Sequence, residues 1–85
     1  MSELQGALQF STVMPWFARA DELARADIID LAAVTQCDSA GAALLLELQR
    51  RARIKGRTVR FVNAPAQLRE LVAFFGVDSV LNLAA

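Results

Sequence analysis

Histidine is absent from this 85-residue sequence, and cysteine occurs once, at Cys37. Without histidine, neither a Ser-His-Asp triad nor a Cys-His pair can form, and the remaining side chains offer no ligand set for a structural zinc site. A single cysteine also excludes an internal disulfide. We therefore predict that the protein is not an enzyme and has no catalytic residue, bound metal or cofactor.

Net charge and long apolar runs are also lacking. Nine Lys and Arg residues balance nine Asp and Glu residues, so the chain has no net positive field to drive nucleic-acid binding. No apolar run is longer than that at residues 40–46, which is far shorter than the roughly 20 residues of a membrane-spanning helix. The start, Met1-Ser2-Glu3, has no secretory signal pattern, and a lone thiol suits a reducing compartment. We expect a cytoplasmic protein that reaches a membrane only through a partner.

Hydrophobic residues, by contrast, are plentiful. They make up 55% of the sequence, above the roughly 45–50% of average soluble proteins. Such a chain can bury a core, and its length leaves room for one domain only, because domains rarely have fewer than about 50 residues. We expect residues 1–85 to form a single domain.

Three segments have the pattern of β-strands. Residues 8–12 and 58–62 alternate apolar and polar side chains, and residues 27–31 have β-branched residues at their centre. We predict that segment 27–31 is the central strand and that a polar turn follows it at residues 35–38.

A helix is predicted after each strand, from the spacing of apolar residues and from Pro, Ser and Gly at the expected ends. The first helix runs from Pro15 to Ala24, with Trp16 and Phe17 as core anchors. The second starts at Ser39 and stops at Lys55-Gly56. The third opens at residues 63–65, ends at Gly76, and has on its buried face Leu68, Leu71, Val72 and Phe75. The alternation of strands and helices predicts an α/β fold with a parallel or mixed sheet, and residues 77–85 form a last turn or short helix on the core.

The junction between the second strand and the long helix is the first candidate site. Asp38-Ser39-Ala40-Gly41 lies there, where unpaired backbone N–H groups carry partial positive charge and can hold an anion or a phosphorylated hydroxyl. The alternative is structural: Ser39 or Asp38 caps the helix, and Gly41 lets it pack closely on the sheet. Neither common nucleotide-binding loop is present.

Apolar residues on two faces of the long helix give the second signal. Leu45, Leu48 and Ala52 continue the core stripe from Gly41, whereas Ala42, Ala43 and Leu46 fall on a different face. An exposed apolar face beside the helix start would suit docking to a protein, and the alternative is that a neighbouring helix covers it.

Basic residues are unevenly distributed, since six of the nine lie between positions 50 and 60. Cations complement the dipole at a helix C-terminus, so a solvated face explains them, with an acidic partner or a membrane surface as the alternative. Cys37 has no second Cys and no His beside it, which favours a buried, inert thiol.

The segments 28–31 (Ile-Ile-Asp-Leu) and 37–41 (Cys-Asp-Ser-Ala-Gly), followed by a Leu-rich helix, resemble a STAS domain, the sulphate transporter and anti-sigma factor antagonist family. The resemblance continues through Lys55-Gly56, the strand at 59–62 and the helix after Pro65. It implies a STAS-like single domain with a mixed, mostly parallel sheet and crossover helices.

Two branches of the family imply different partners. In anti-sigma factor antagonists a kinase phosphorylates the hydroxyl residue directly before the motif's glycine, and that position here is Ala40. In the B component of the Mla (maintenance of lipid asymmetry) phospholipid transporter, the STAS domain docks on the ATPase subunit of an ABC transporter. A hydroxyl residue after the Asp lies at that contact, and it corresponds to Ser39.

The second branch is the better fit, because the chain is small, apolar and without the usual phosphosite. It implies a subunit that binds and stabilises or regulates the ABC ATPase, peripheral to the inner membrane. The partner-binding residues are then Asp38, Ser39, Ala40, Gly41, Ala42, Ala43 and Leu46. The alternative is an anti-sigma factor antagonist that switches partners, with an anti-sigma factor kinase as its partner and Ser39 as the phosphorylated residue.

Overall fold

The computed structural model describes residues 2–77, 80, 81 and 83. Its elements are, in chain order, β1 (Ser2–Leu8), α1 (Met14–Ala18), α2 (Ala20–Leu23), β2 (Ile28–Cys37), α3 (Ser39–Ile54), β3 (Arg60–Val62) and α4 (Ala66–Phe74). This alternation of strands and helices confirms the α/β class.

The three strands form one parallel sheet in the order β1-β2-β3, so β2 is the central strand, as its composition predicts. Leu8 at the end of β1 lies opposite Cys37 at the end of β2. The loops that follow these two strands therefore leave the sheet at the same edge, and α3 begins there.

β1 precedes the segment predicted for it. The first strand is expected at residues 8–12, whereas β1 ends at Leu8. Residues 9–12 form a turn, in which the Gln9 N–H donates to Thr12 Oγ1 (3.0 Å) and the Thr12 hydroxyl donates to the Ala7 carbonyl (2.7 Å). Such local side-chain bonds compete with strand pairing, which explains why the alternating pattern does not form a strand.

The other two strands differ from prediction in length. β2 continues to Cys37 through the predicted polar turn because β1 pairs with it there, with Ala7 opposite Gln36. β3 starts only at Arg60, because the side chain of Gln49 occupies both backbone groups of Val59. Gln49 Nε2 donates to the Val59 carbonyl and Oε1 accepts from its N–H, each at 2.9 Å.

The first predicted helix is broken into α1 and α2 at Arg19, whose backbone leaves the helical region (φ −103°, ψ 14°). Trp16 and Phe17 are only half-buried and pack against the outside of the core. α2 contributes the fully buried side chains of this segment, Ala20 and Leu23.

The predicted C-terminal turn is described only in part, since residues 78, 79, 82, 84 and 85 lie outside the described residues. Leu81 is buried in the core, and Leu83 forms a bridge to Phe61 of β3. Leu81 and Leu83, the described residues that carry this prediction, thus pack on the core. None of the helices in the described part of the chain is long and apolar enough to span a membrane.

α3 packs directly on the ends of β1 and β2. Gly41, in its first turn, is buried, and a Cβ at this position would lie 2.6 Å from the Leu8 carbonyl oxygen and 3.0 Å from the Leu8 Cβ. Any larger residue would push the helix away from the sheet. The structural role predicted for Gly41, close packing of helix on sheet, is confirmed.

We predict that Gly41→Ala destabilises the domain by about 1–3 kcal/mol, the range for overpacked sites, although alanine is the better helix former by about 1 kcal/mol. Urea denaturation at pH 7 measures the free energy of unfolding. Ala43→Ser, on the exposed side of the same helix, is the control and should change this free energy by less than about 0.5 kcal/mol. Equal stabilities for wild type and Gly41→Ala would contradict the close approach.

Candidate functional site

Asp38 caps α3. One carboxylate oxygen, Oδ1, accepts a hydrogen bond from the Ala40 N–H at 2.8 Å, and the backbone of Asp38 is extended, as a capping residue requires. Its own N–H donates to the Leu8 carbonyl at 3.2 Å, which anchors the cap to the end of β1. The sequence offers Ser39 and Asp38 as alternative caps. Asp38 is the cap, so the prediction that Ser39 caps the helix is wrong.

The second carboxylate oxygen of Asp38 reaches across to the loop after β1. Oδ2 accepts from the N–H of Phe10 at 3.1 Å, so one side chain joins two loops. The bonds from Phe10 and then from Ala40 hold the pKa of the Asp38 carboxyl below its usual range, although partial burial opposes them. This bond brings the backbone of Phe10 to the helix start, and its phenyl ring is 84% exposed.

Ser39 is the first residue of α3 and is exposed. Its hydroxyl makes no hydrogen bond to any residue in the described part of the chain, so it is available to an external group. Ala43, one helical turn further, is exposed on the same side of α3. Of the residues that the family resemblance predicts to bind a partner, these two are exposed.

The other predicted partner-binding residues are less accessible. Gly41 and Ala42 are buried, and Ala40 and Leu46 are half-buried and pack against the core. The expected exposed apolar face of Ala42, Ala43 and Leu46 is therefore wrong for Ala42, which belongs to the core cluster. α3 packs against α2 on one part of its surface and α4 on another, and this covering is not visible in the helical spacing.

An open groove of about 610 Å³ runs between the start of α3 and α4. It is lined by Cys37, Asp38, Ser39, Gln67, Glu70, Leu71, Phe74 and Phe75. The side chain of Gln67 accepts from the Cys37 N–H at 3.4 Å and so fixes α4 to the end of β2. The groove is thus built on the same strand end as the Asp38 cap.

Two phenylalanines project from the α4 side of this groove. Phe74 is 84% exposed and Phe75 48%, and their rings meet edge to face with centroids 5.5 Å apart. The prediction that Phe75 lies on the buried face of the third helix is wrong, because α4 ends at Phe74 and Phe75 is already its C-cap. Phe74 was not predicted as a site residue, although its position off the apolar stripe indicates exposure.

Cys37 is buried at the floor of this region, as predicted. Burial, helped by the neighbouring charge of Asp38, raises the pKa of its thiol. A raised pKa disfavours the reactive thiolate.

The described residues also contain no group of His, Cys, Asp and Glu side chains able to hold a metal ion. The arrangement at the start of α3 is thus a surface of apolar rings and one free hydroxyl, which suits contact with another molecule.

Comparison with known proteins identifies the family. The sequence matches the family model described as "Mlab, STAS domain" over residues 3–83. The chain belongs to the STAS domain family. The resemblance seen in the segments 28–31 and 37–41 is therefore confirmed at the level of the STAS family.

The fold of this STAS domain is similar to that of a solved structure, the anti-sigma factor antagonist SpoIIAA in its unphosphorylated form. The TM-score is 0.67 at 17% sequence identity, and the alignment covers 98% of this chain and 76% of that chain. At this identity the likeness is one of fold. No curated protein matches the sequence.

The Asp38 bridge predicts how stability depends on pH. Because the folded pKa of this carboxyl is below its ordinary value of 3.8, its contribution to stability is complete above that value and is lost as the pH falls through the folded pKa. We expect Asp38→Asn to lower the urea midpoint at pH 7, and the difference from wild type to shrink at acidic pH.

The control is Glu3→Gln, which removes the same charge from an exposed position on β1. It should leave the midpoint at pH 7 close to that of wild type. A difference between wild type and Asp38→Asn that stays constant down to the lowest accessible pH would show that the ionised carboxylate is not what stabilises the helix start.

Proposed function

We propose that this STAS domain is a non-catalytic subunit that binds and stabilises or regulates the ATPase of a phospholipid-transporting ABC system. The contact is the surface formed by Phe10, Ser39, Ala43, Phe74 and Phe75, called here the docking face. The family model's description supports this branch of the family. The observation that carries the proposal is the exposure of two phenylalanines near the start of α3, each 84% accessible: Phe10, whose backbone bonds Asp38, and Phe74, which lines the same groove as Ser39.

Exposed phenyl rings favour a protein partner. A domain of this size has only five phenylalanines, and three of them lie on the docking face outside the core. Aromatic residues are enriched at protein interfaces, and burying one such side chain contributes about 1.5–3 kcal/mol. A few central rings of this kind can account for most of the affinity of a contact.

The docking face is also held in place before any partner arrives. Asp38 fixes the loop that carries Phe10, and Gln67 fixes α4, which carries Phe74, to the end of β2. A partner that meets ordered loops pays less conformational entropy on binding. This favours a stable subunit of a complex over a segment that orders only on contact.

A partner-switching role is the second candidate, because the exposed Ser39 hydroxyl is accessible to a kinase. Ala40 stands where anti-sigma factor antagonists carry the phosphorylated residue. In the ABC branch, the protein is cytoplasmic and peripheral to the inner membrane through its ATPase partner. In the alternative, its partner is an anti-sigma factor kinase and no membrane protein is involved.

We predict that affinity capture of the protein from its own host, followed by mass spectrometry, recovers the ATPase of an ABC transporter. Phe74→Ser should weaken binding to the purified partner by about tenfold or more, because the loss of one buried ring exceeds the 1.4 kcal/mol that corresponds to tenfold. Ser39→Asp should weaken it as well, because it places a charge in a desolvated contact.

The control is Ile54→Ser, which removes an apolar side chain of similar exposure, 68%, at the other end of α3. It should leave affinity unchanged. Both phenylalanine and isoleucine variants should keep the wild-type melting temperature, because neither side chain is buried. Recovery of an anti-sigma factor kinase would select the second candidate, and full binding by folded Phe74→Ser would refute the docking face.

Phosphorylation provides a separate test. A phosphate on Ser39 would add close to two negative charges beside Asp38 and would disturb a contact made there. We expect the native protein to be unphosphorylated and its binding to be constitutive. Intact-mass analysis of protein from its own host measures this directly, and a substantial population that carries one phosphate on Ser39 would restore the partner-switching interpretation.

A further inference from the structure

A second, smaller groove lies near the opposite end of α3 and is lined mainly by cations. Its volume is about 300 Å³, and its lining residues are Asp21, Ala24, Arg25, Arg51, Lys55 and Arg57. They come from three places in the chain: α2 and the turn after it, the last part of α3, and the turn that follows α3. Four positive side chains therefore face one carboxylate.

That single carboxylate, Asp21, is already paired with Arg51. Asp21 Oδ1 accepts from Arg51 Nη1 at 2.8 Å, and Arg51 Nε donates to Glu47 at 2.8 Å. The two bonds fix the guanidinium plane and leave Nη2 without a hydrogen bond among the described residues. Arg51 is thus a preorganised donor at the edge of the groove.

The remaining cations are hardly compensated. Arg57 is 3.8 Å from Asp27, whose side chain is 93% exposed, so this pair is weak. The side chains of Arg25 and Lys55 form neither a hydrogen bond nor an ion pair with any residue in the described ranges. Like charges gathered around a small concave site repel one another, and the groove is electrostatically complementary to an anion.

Helix capping does not account for this cluster. Two of the last four carbonyls of α3 accept from backbone donors, since the N–H of Gly56 bonds the Arg53 carbonyl and that of Arg57 bonds the Ala52 carbonyl, each at 2.9 Å. The side chains of Lys55 and Arg57 bond no carbonyl in the described part of α3, so they do not act as caps. Arg25 belongs to a different element, so the dipole of α3 does not explain its position.

We infer that this groove, here called the basic groove, binds a phosphate group. At about 300 Å³ the groove has room for a phosphate group and part of the molecule that carries it, and guanidinium groups match phosphate oxygens in bidentate geometry. The phosphate can belong to a free molecule or to a lipid headgroup, and binding to pyrophosphate and to vesicles distinguishes the two sources. The inference does not depend on the docking face, from which the basic groove is separated along α3.

The test uses the full 85-residue chain, labelled with ¹⁵N, and inorganic pyrophosphate as the probe at constant ionic strength. We expect saturable shifts of the backbone amide signals of Arg25, Lys55, Gly56 and Arg57. The double variant Arg25→Gln/Lys55→Gln should weaken binding by about tenfold or more, because each charge-assisted hydrogen bond is among the stronger ones. It should keep or raise the melting temperature, because like charges are removed.

The matched control is Arg53→Gln/Arg60→Gln, which removes the same charge at exposed positions outside the basic groove. Sedimentation with phosphatidylcholine vesicles, with and without phosphatidylglycerol, forms the second arm. Saturable pyrophosphate binding assigns a free phosphate, whereas groove-dependent binding to the phosphatidylglycerol vesicles alone assigns a headgroup. If neither probe binds, the inference is wrong. It is also wrong if the control variant loses as much binding as the groove variant, because bulk charge is then responsible for the binding.

Discussion

The structure depends on the contact between α3 and the ends of β1 and β2. The Leu8 carbonyl accepts from the N–H of Asp38 at 3.2 Å and lies only 2.6 Å from where a Cβ of Gly41 would be. The Leu8 carbonyl thus contacts both the end of the β1–β2 pairing and the first turn of α3. Because glycine alone fits there, β1, β2 and α3 form one unit, and the loop after β1 is joined to it by the second oxygen of Asp38.

This unit determines what the docking face can present. The carboxylate of Asp38 accepts hydrogen bonds from backbone N–H groups on both oxygens, so both oxygens are engaged within the domain. What remains accessible is the Ser39 hydroxyl and the rings of Phe10 and Phe74. Recognition at such a surface depends on shape and apolar burial, and a contact of this kind weakens little with added salt.

The sequence predicts the parts of this arrangement that rest on local chemistry. A β-branched central strand, a helix from Ser39 to the stop at Lys55-Gly56, and close packing at Gly41 all follow from residue type and spacing. The position of β1 does not, because alternation at residues 8–12 is overruled by the hydrogen bonds of Thr12. Nor does the burial of Ala42, since neighbouring helices cover α3 in a way that its own periodicity does not encode. The basic groove likewise requires Arg25 to meet the residues after α3, which is a tertiary contact.

Although the chain has no net charge, the charges on α3 are unevenly distributed. Glu47 accepts hydrogen bonds from Arg50 and Arg51, and these bonds lower the pKa of its carboxyl from 4.5 to about 2. The Glu47 carboxylate therefore stays ionised, and both of these partners lie within α3. Among the described residues, Arg25 and Lys55 of the basic groove are left without a carboxylate partner, as are Arg53 and Arg60 outside it. Along α3 the docking face and the basic groove come nearest at Ala43 and Arg51, about 12 Å apart at the helical rise per residue, and this exceeds the Debye length of about 8 Å at physiological ionic strength. Charge bound in the basic groove is therefore screened from the docking face, so an anion there can act on a partner only if that partner spans both ends of the helix.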